Sequence, residues 1–149
     1  MAAPIKTPTP RTASKPPEQR SVRPRIDKLG IKPGFRVAII GVDDPELMEE
    51  LRSRTDHIFM HKPRDKRDVI FYSADTRDAL DELASLRARI VDSGAIWVVS
   101  KKGKDRSIND TDVIAAAKRA GLVDNKVVSF SATHTALRCV IPVAMRGRD

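Results

Sequence analysis

The chain is short of cysteine, of aromatics and of clustered glycine, and each shortage excludes something. One cysteine, Cys139, stands among 149 residues, so no internal disulfide can staple the fold, and a reducing cytoplasm is the expected compartment. It lies in the apolar run CVIPVAM, away from any helix start that would activate a thiol, and reads as buried and inert. Long apolar runs are missing as well. That run and VAIIGV fall far short of a membrane span, and no apolar stretch follows the N-terminal bases as it would in a secretory leader. The six aromatics (Phe35, Phe59, Phe71, Tyr72, Trp97, Phe130) make up only 4% of the chain. All fall in strand-like runs, which marks them as core and argues against a base-stacking platform. No G-K-[ST] of a P-loop occurs. His57 and His61 would point the same way on a strand but lack an HExxH context, and His134 falls in the turn ATHT. Neither a metal set, nor a nucleophile with its base, nor a carboxylate pair can be assembled from the spacing.

What is present suits one soluble domain with a core of its own: 40% hydrophobic and 32% charged residues in a chain of this length. The net charge of +8 is unevenly placed. Residues 1–25 carry six bases, one acid and six of the ten prolines, leaving 22 bases and 19 acids for residues 26–149. A proline-rich, apolar-poor segment cannot repay the entropy of ordering, so 1–25 is expected to be a disordered basic tail and 26–149 the folded domain. The tail's bases could touch nucleic acid or an acidic partner, whereas the nearly balanced domain offers no strong field of its own.

From Ile26 onward the pattern alternates. FRVAIIGV (35–42) reads as a buried strand. DDPELMEELRSR reads as a helix with Asp44 as N-cap and Pro45 in its first turn. HIFMH (57–61) is a short strand followed by the charged loop KPRDKR, and DVIFYSAD (68–75) is a second buried strand. In TRDALDELASLRARIV (76–91), Leu80, Leu83, Leu86 and Ile90 share one helical face, with Gly94 as the stop. GAIWVVS (94–100) is a third strand. INDTDVIAAAKRAGL is a helix capped by Asn109, with Lys118 and Arg119 in its last turn and Gly121 closing it. NKVVSFS (125–131) and ALRCVIPV (136–143) form a closing hairpin. The order β-α-β-β-α-β-α-β-β implies a three-layer α/β sandwich, its sheet mostly parallel with a C-terminal antiparallel hairpin strand.

On these residues the chain resembles known proteins. KPGFRVAIIG is similar to the first-strand entry of class I SAM-dependent methyltransferases, and the succession of DVIFYSAD, helix, GAIWVVS, helix ending AGL and final strand pair continues the similarity. LGIKPGFRVAIIG, SGAIWVVSKKG, AGLVDNKVVSFS and HTALRCVIP also resemble an uncharacterised bacterial domain-of-unknown-function family, over about residues 28 to 143. The resemblance implies a Rossmann-like, methyltransferase-like fold with no established activity. The chain departs from the full plan between Arg54 and Asp68, which is too short for a second crossover helix and another strand. About seven extended residues reach roughly 23 Å, barely a return along one short strand. Strand 57–61 is therefore expected as a minor edge element.

The turn where such methyltransferases hold their cofactor is glycine-rich, whereas here it reads G-V-D-D-P, with Gly41 alone retained. Val42 resists positive φ, and Asp43 and Asp44 place negative charge where a helix start would otherwise attract phosphate. Dinucleotides and nucleoside triphosphates are disfavoured. The positive sulfonium of SAM is not repelled, but the second strand ends in Met60, His61 and Lys62 instead of a ribose-binding carboxylate, with Asp65 the nearest acid. Ligands of α/β sheets bind beyond the carboxyl ends of the parallel strands, which makes Gly41, Asp43, Asp75, Ser100 and Lys101 the candidate pocket walls. Asp75 could instead cap the helix near Thr76, and the bases of KKGKDR around Gly103 could hold an anion.

The expected function is that of a non-catalytic interaction or regulatory module with a protein partner and no cofactor. The alternatives are a SAM-dependent methyltransferase or SAM-binding protein, and a weak electrostatic nucleic-acid binder acting through the tail. A brief edge strand leaves backbone groups that a twin chain could pair, so a homodimer is a further expectation.

Overall fold

The computed structural model describes residues 24–104 and 106–146. The expected disordered tail lies outside the described residues up to position 23. Its last residue, Arg25, is part of the fold and opens a short helix, α1 (Arg25–Lys28). There follow β1 (Val37–Ile40), α2 (Pro45–Arg52), β2 (Ile58–Phe59), β3 (Arg67–Ser73), α3 (Arg77–Leu80), α4 (Leu83–Arg87), β4 (Ile90–Lys101), α5 (Asp110–Arg119), β5 (Val123–Ser129) and β6 (His134–Val140).

The six strands form one sheet in the order β2-β1-β3-β4-β6-β5. The pairs β1–β2, β1–β3 and β3–β4 are parallel, and β6 runs antiparallel to both β4 and β5. β2 lies at the edge and contributes two residues, the minor element that its short flanking loops dictate.

The central strands β1, β3 and β4 bury both faces over most of their length, which is why these segments read as unbroken apolar runs. The edge strands β2 and β5 are largely exposed. Alternation along β3 sends Ile70 and Tyr72 to one side, where α3, α4 and α5 supply Leu80, Leu83, Leu86, Val113 and Ala117. Val69 and Phe71 go to the other side, against Ile26 and Leu29 of the first helical turn and Leu47 and Leu51 of α2. Burying a side chain such as Phe71 or Leu83 stabilises by about 1.5–3 kcal/mol. Trp97 is fully buried in the second cluster, and its indole N–H donates to the Leu29 carbonyl at 3.1 Å.

Three expectations need correction. The helix over 76–91 is two short helices separated at Asp81–Glu82. Gly94 ends no helix, because β4 begins at Ile90 and the glycine sits within it. A Cβ there would lie 2.8 Å from the Asp68 carbonyl oxygen and 3.0 Å from that of Val91. Register jumps at this point from Arg67↔Ile90 to Val69↔Ala95, so the extra residues of β4 fold back onto the neighbouring backbone. Finally, Phe59 is not core: it is 39% exposed, with the Arg67 guanidinium 5.4 Å from its ring centroid.

Candidate functional site

The parallel strands β1, β3 and β4 deliver their carboxyl ends to one edge of the sheet. Three clefts open there among the described residues, one of them outside the turn after β1, where Asp43 and Met60 share a wall. The first, of about 340 Å³, is lined by Gly41, Asp43, Ser73, Phe130, Thr133 and His134 among others. The second, of about 390 Å³, lies between the end of β4 and the start of α5, with Ser100, Lys101, Lys102, Arg106, Thr111 and Thr135 in its walls. The five sequence-predicted residues therefore do not converge. Gly41 and Asp43 belong to the first cleft and Ser100 and Lys101 to the second, while Asp75 lines neither. Its carboxylate accepts from the Lys101 N–H at 2.9 Å, tying the ends of β3 and β4 together. The cap expected of Asp75 is made by Thr76, whose hydroxyl accepts from the Ala79 N–H at 3.1 Å.

Gly41 has φ +77°, a conformation that suits glycine and explains why this residue alone survives in the turn. Asp44 is the N-cap of α2, accepting from the Leu47 N–H at 3.0 Å, and Pro45 opens the first turn. The residue that sequence reasoning missed is Arg25. Its Nε and Nη2 fork onto the Glu50 carboxylate at 3.1 and 2.7 Å. Nη1 donates to Asp44 at 2.9 Å and to the Phe130 carbonyl at 2.7 Å. The guanidinium also lies 4.8 Å from the Phe130 ring centroid. One cation thus ties the turn after β1, the helix after it and the loop between β5 and β6. Burial alone would raise the Asp44 carboxyl, but hydrogen bonds from Arg25 and the Leu47 N–H outweigh it and hold the group below its ordinary value. Desolvation would lower the Arg25 pKa, yet Glu50 and Asp44 more than offset it and the charge is locked on. The available signal was the apolar spacing Ile26, Leu29, Ile31 directly after Arg25, facing the acid-rich PELMEELR.

The other chemistry-bearing residues are structural. His134 Nδ1 lies 2.8 Å from the Thr133 hydroxyl, and the Ser131 hydroxyl accepts the His134 N–H at 3.1 Å, so the hairpin turn satisfies itself. His57 and His61 flank the two-residue β2 instead of sharing a strand face, and His61 packs edge-on against Phe59. Among the described residues no three His, Cys, Asp or Glu side chains group as metal ligands. Cys139 is fully buried, and desolvation, helped by Asp124, pushes its pKa up to about 12. No helix among the described residues is long and apolar enough to cross a membrane.

Residues 26–143 match the model of a family described as a protein of unknown function, DUF3052. The chain belongs to this family. No functionally curated protein sequence matches it. Among solved structures, the DUF3052 chain is similar to the pyocyanin biosynthetic protein PhzM, with a TM-score of 0.61 at 11% identity over 79% of this chain and 53% of that one. It spans about half the length of that relative. A TehB-like SAM-dependent methyltransferase from Corynebacterium glutamicum gives 0.53 at 12% identity, covering 79% and 86% of the two chains. Magnesium protoporphyrin IX methyltransferase from Synechocystis, solved with bound SAM, gives 0.54 at 10% identity, covering 79% and 75%. At such identities the likeness concerns the fold. This DUF3052 member has a Rossmann-like, methyltransferase-like core, as its strand order indicates.

Proposed function

We propose that this DUF3052 chain is a non-catalytic interaction or regulatory module, built on a methyltransferase-like scaffold whose first turn is committed to an internal ion-pair lock. The observation that carries this reading is Arg25, which engages Asp44, Glu50 and the Phe130 carbonyl at once. A turn that ligates SAM needs its backbone and its carboxylates free for the ligand. Here one of the two acids is bound to a guanidinium, and Val42 packs against the core cluster beneath. The ribose side fares no better. After β2 come Met60, His61 and Lys62, and Lys62 donates to Glu82 and Ser85. Asp65, the nearest carboxylate in sequence, accepts from the Arg67 Nε at 3.0 Å. The residues present do not fit SAM.

The alternative, a SAM-dependent methyltransferase or SAM-binding protein, draws on the fold neighbours. It also draws on a cleft of about 490 Å³ beside the turn, where Val42, Pro45, Met48 and Met60 form an apolar floor. A thermal-shift titration with SAM and S-adenosylhomocysteine decides between them. A ligand at a hundred times its dissociation constant stabilises by about 2.7 kcal/mol, so binding would be plain. The module reading expects no shift with either compound; a saturable shift with either one overturns it.

A further inference from the structure

The second cleft, at the end of β4, has a different character from the turn after β1. Ser100 and Thr135 are register partners on β4 and β6, and alternation puts both on the face that carries Ile96, Val98 and Leu137. That face packs under α5, so the two hydroxyls sit where the sheet ends and the first turn of α5 begins. Ser100 is only 4% exposed, yet its hydroxyl makes no hydrogen bond among the described residues and lines the cleft. The oxygen itself is not sealed from solvent, so this largely buried side chain offers the cleft a polar group free to bond a ligand in place of water.

The surrounding groups suit an oxyanion. α5 runs for ten residues and is closed by a reciprocal box, in which Asn109 accepts from the Asp112 N–H and Asp112 accepts from the Asn109 N–H. Those bonds leave the Asp110 and Thr111 N–H groups without an intrahelical acceptor, at the positive end of the helix dipole. Lys102 is held at the rim by the Ser129 hydroxyl at 2.8 Å. Among the described lining side chains, three bases, Lys101, Lys102 and Arg106, stand against one carboxylate, that of Asp110. The donors are of the types that hold a tetrahedral oxyanion: helix N–H groups, two hydroxyls, an ammonium and a guanidinium. A volume of about 390 Å³ exceeds what one bare ion fills and lies at the small end of ligand pockets, and Ile108 provides an apolar wall.

We propose that this cleft binds a phosphate group, free or carried by a small monoester, with its oxygens received by Ser100, Thr111 and the first N–H groups of α5 and its charge met by Lys102 and Arg106. The site is separate from the turn after β1 and is read at different residues, so a failed phosphate titration and a positive SAM titration overturn different readings.

The experiment is an NMR amide-shift titration of the full chain with inorganic phosphate and, separately, with glycerol 3-phosphate, holding ionic strength constant with chloride. Saturable shifts are expected at Ser100, Asp110 and Thr111. Equal affinity for the two probes assigns free phosphate, and tighter binding of glycerol 3-phosphate assigns a monoester. Ser100→Ala and Arg106→Gln should each weaken binding about tenfold, the loss expected of one hydrogen bond to a charged group. Asp110→Asn should tighten it. Ser100→Ala should leave the Tm of the unliganded protein unchanged or raised, which a purely structural hydroxyl would not do. Shifts that never saturate, shifts scattered over surface lysines, or variants that titrate like the wild type would each overturn the proposal.

Discussion

Arg25 concentrates four hydrogen bonds and a ring contact in one planar group, and its partners come from two distant segments of the chain. The Asp44 and Glu50 side chains are 16% and 29% exposed, so removing the cation strands two half-buried carboxylates and a carbonyl. Arg25→Ala is expected to cost about 1–3 kcal/mol, between the values typical of exposed and buried pairs, measured by urea unfolding at neutral pH. Arg25→Lys should recover part of that, since an ammonium cannot fork onto Glu50. The same cluster sets an acid response. The Asp44 carboxyl titrates below its ordinary value of 3.8 in the folded protein. Its contribution is therefore complete above the unfolded value and is lost as pH falls through the folded one. Asp44→Asn keeps an N-cap oxygen while removing the charge. Unfolding free energies measured across the acid range should lose part of their slope in this variant. An unchanged slope would show that Asp44 is not the titrating partner.

At the scale of elements, the same residue type carried two meanings that sequence could not separate. Glycine at Gly121 ends α5 as expected, with φ +82°. Gly94 serves a strand whose backbone passes too close to β3 for any side chain. The leucine spacing over 80–90 fits one continuous helix equally well, because α3 and α4 present Leu80, Leu83 and Leu86 to the same cluster despite the break between them. Periodicity reports which face is buried, not whether the axis is unbroken. A direct check is Gly94→Ala. With the Asp68 and Val91 carbonyls in the way, backbone must shift, and overpacking of this kind costs about 1–3 kcal/mol. Thermal unfolding should register it, whereas Gly103→Ala, where an added Cβ meets nothing within 4 Å, tests the competing effect of positive φ alone.

Across the whole molecule, what was legible follows from local chemistry. Alternating strands and helices, the Asp44 and Asn109 caps and the thin edge at β2 each depend on residues near one another in sequence. The site was legible only as a set of strand ends. The division of its residues between separate clefts depends on the strand order, which sets β3 between the ends of β1 and β4, and its lock depends on a contact between Arg25 and Phe130, 105 positions apart. A composition boundary placed Arg25 with the proline-rich segment, although packing places it with the fold. That difference has a measurable consequence for where the domain begins. A chain starting at Pro24 retains the guanidinium and its three acceptor residues, whereas a chain starting at Ile26 lacks the guanidinium. The first should be the more stable, by the same margin that Arg25→Ala costs the full chain, which at this size amounts to several degrees in Tm. Equal melting temperatures for the two shortened chains would remove Arg25 from the domain and with it the argument that the turn after β1 is locked.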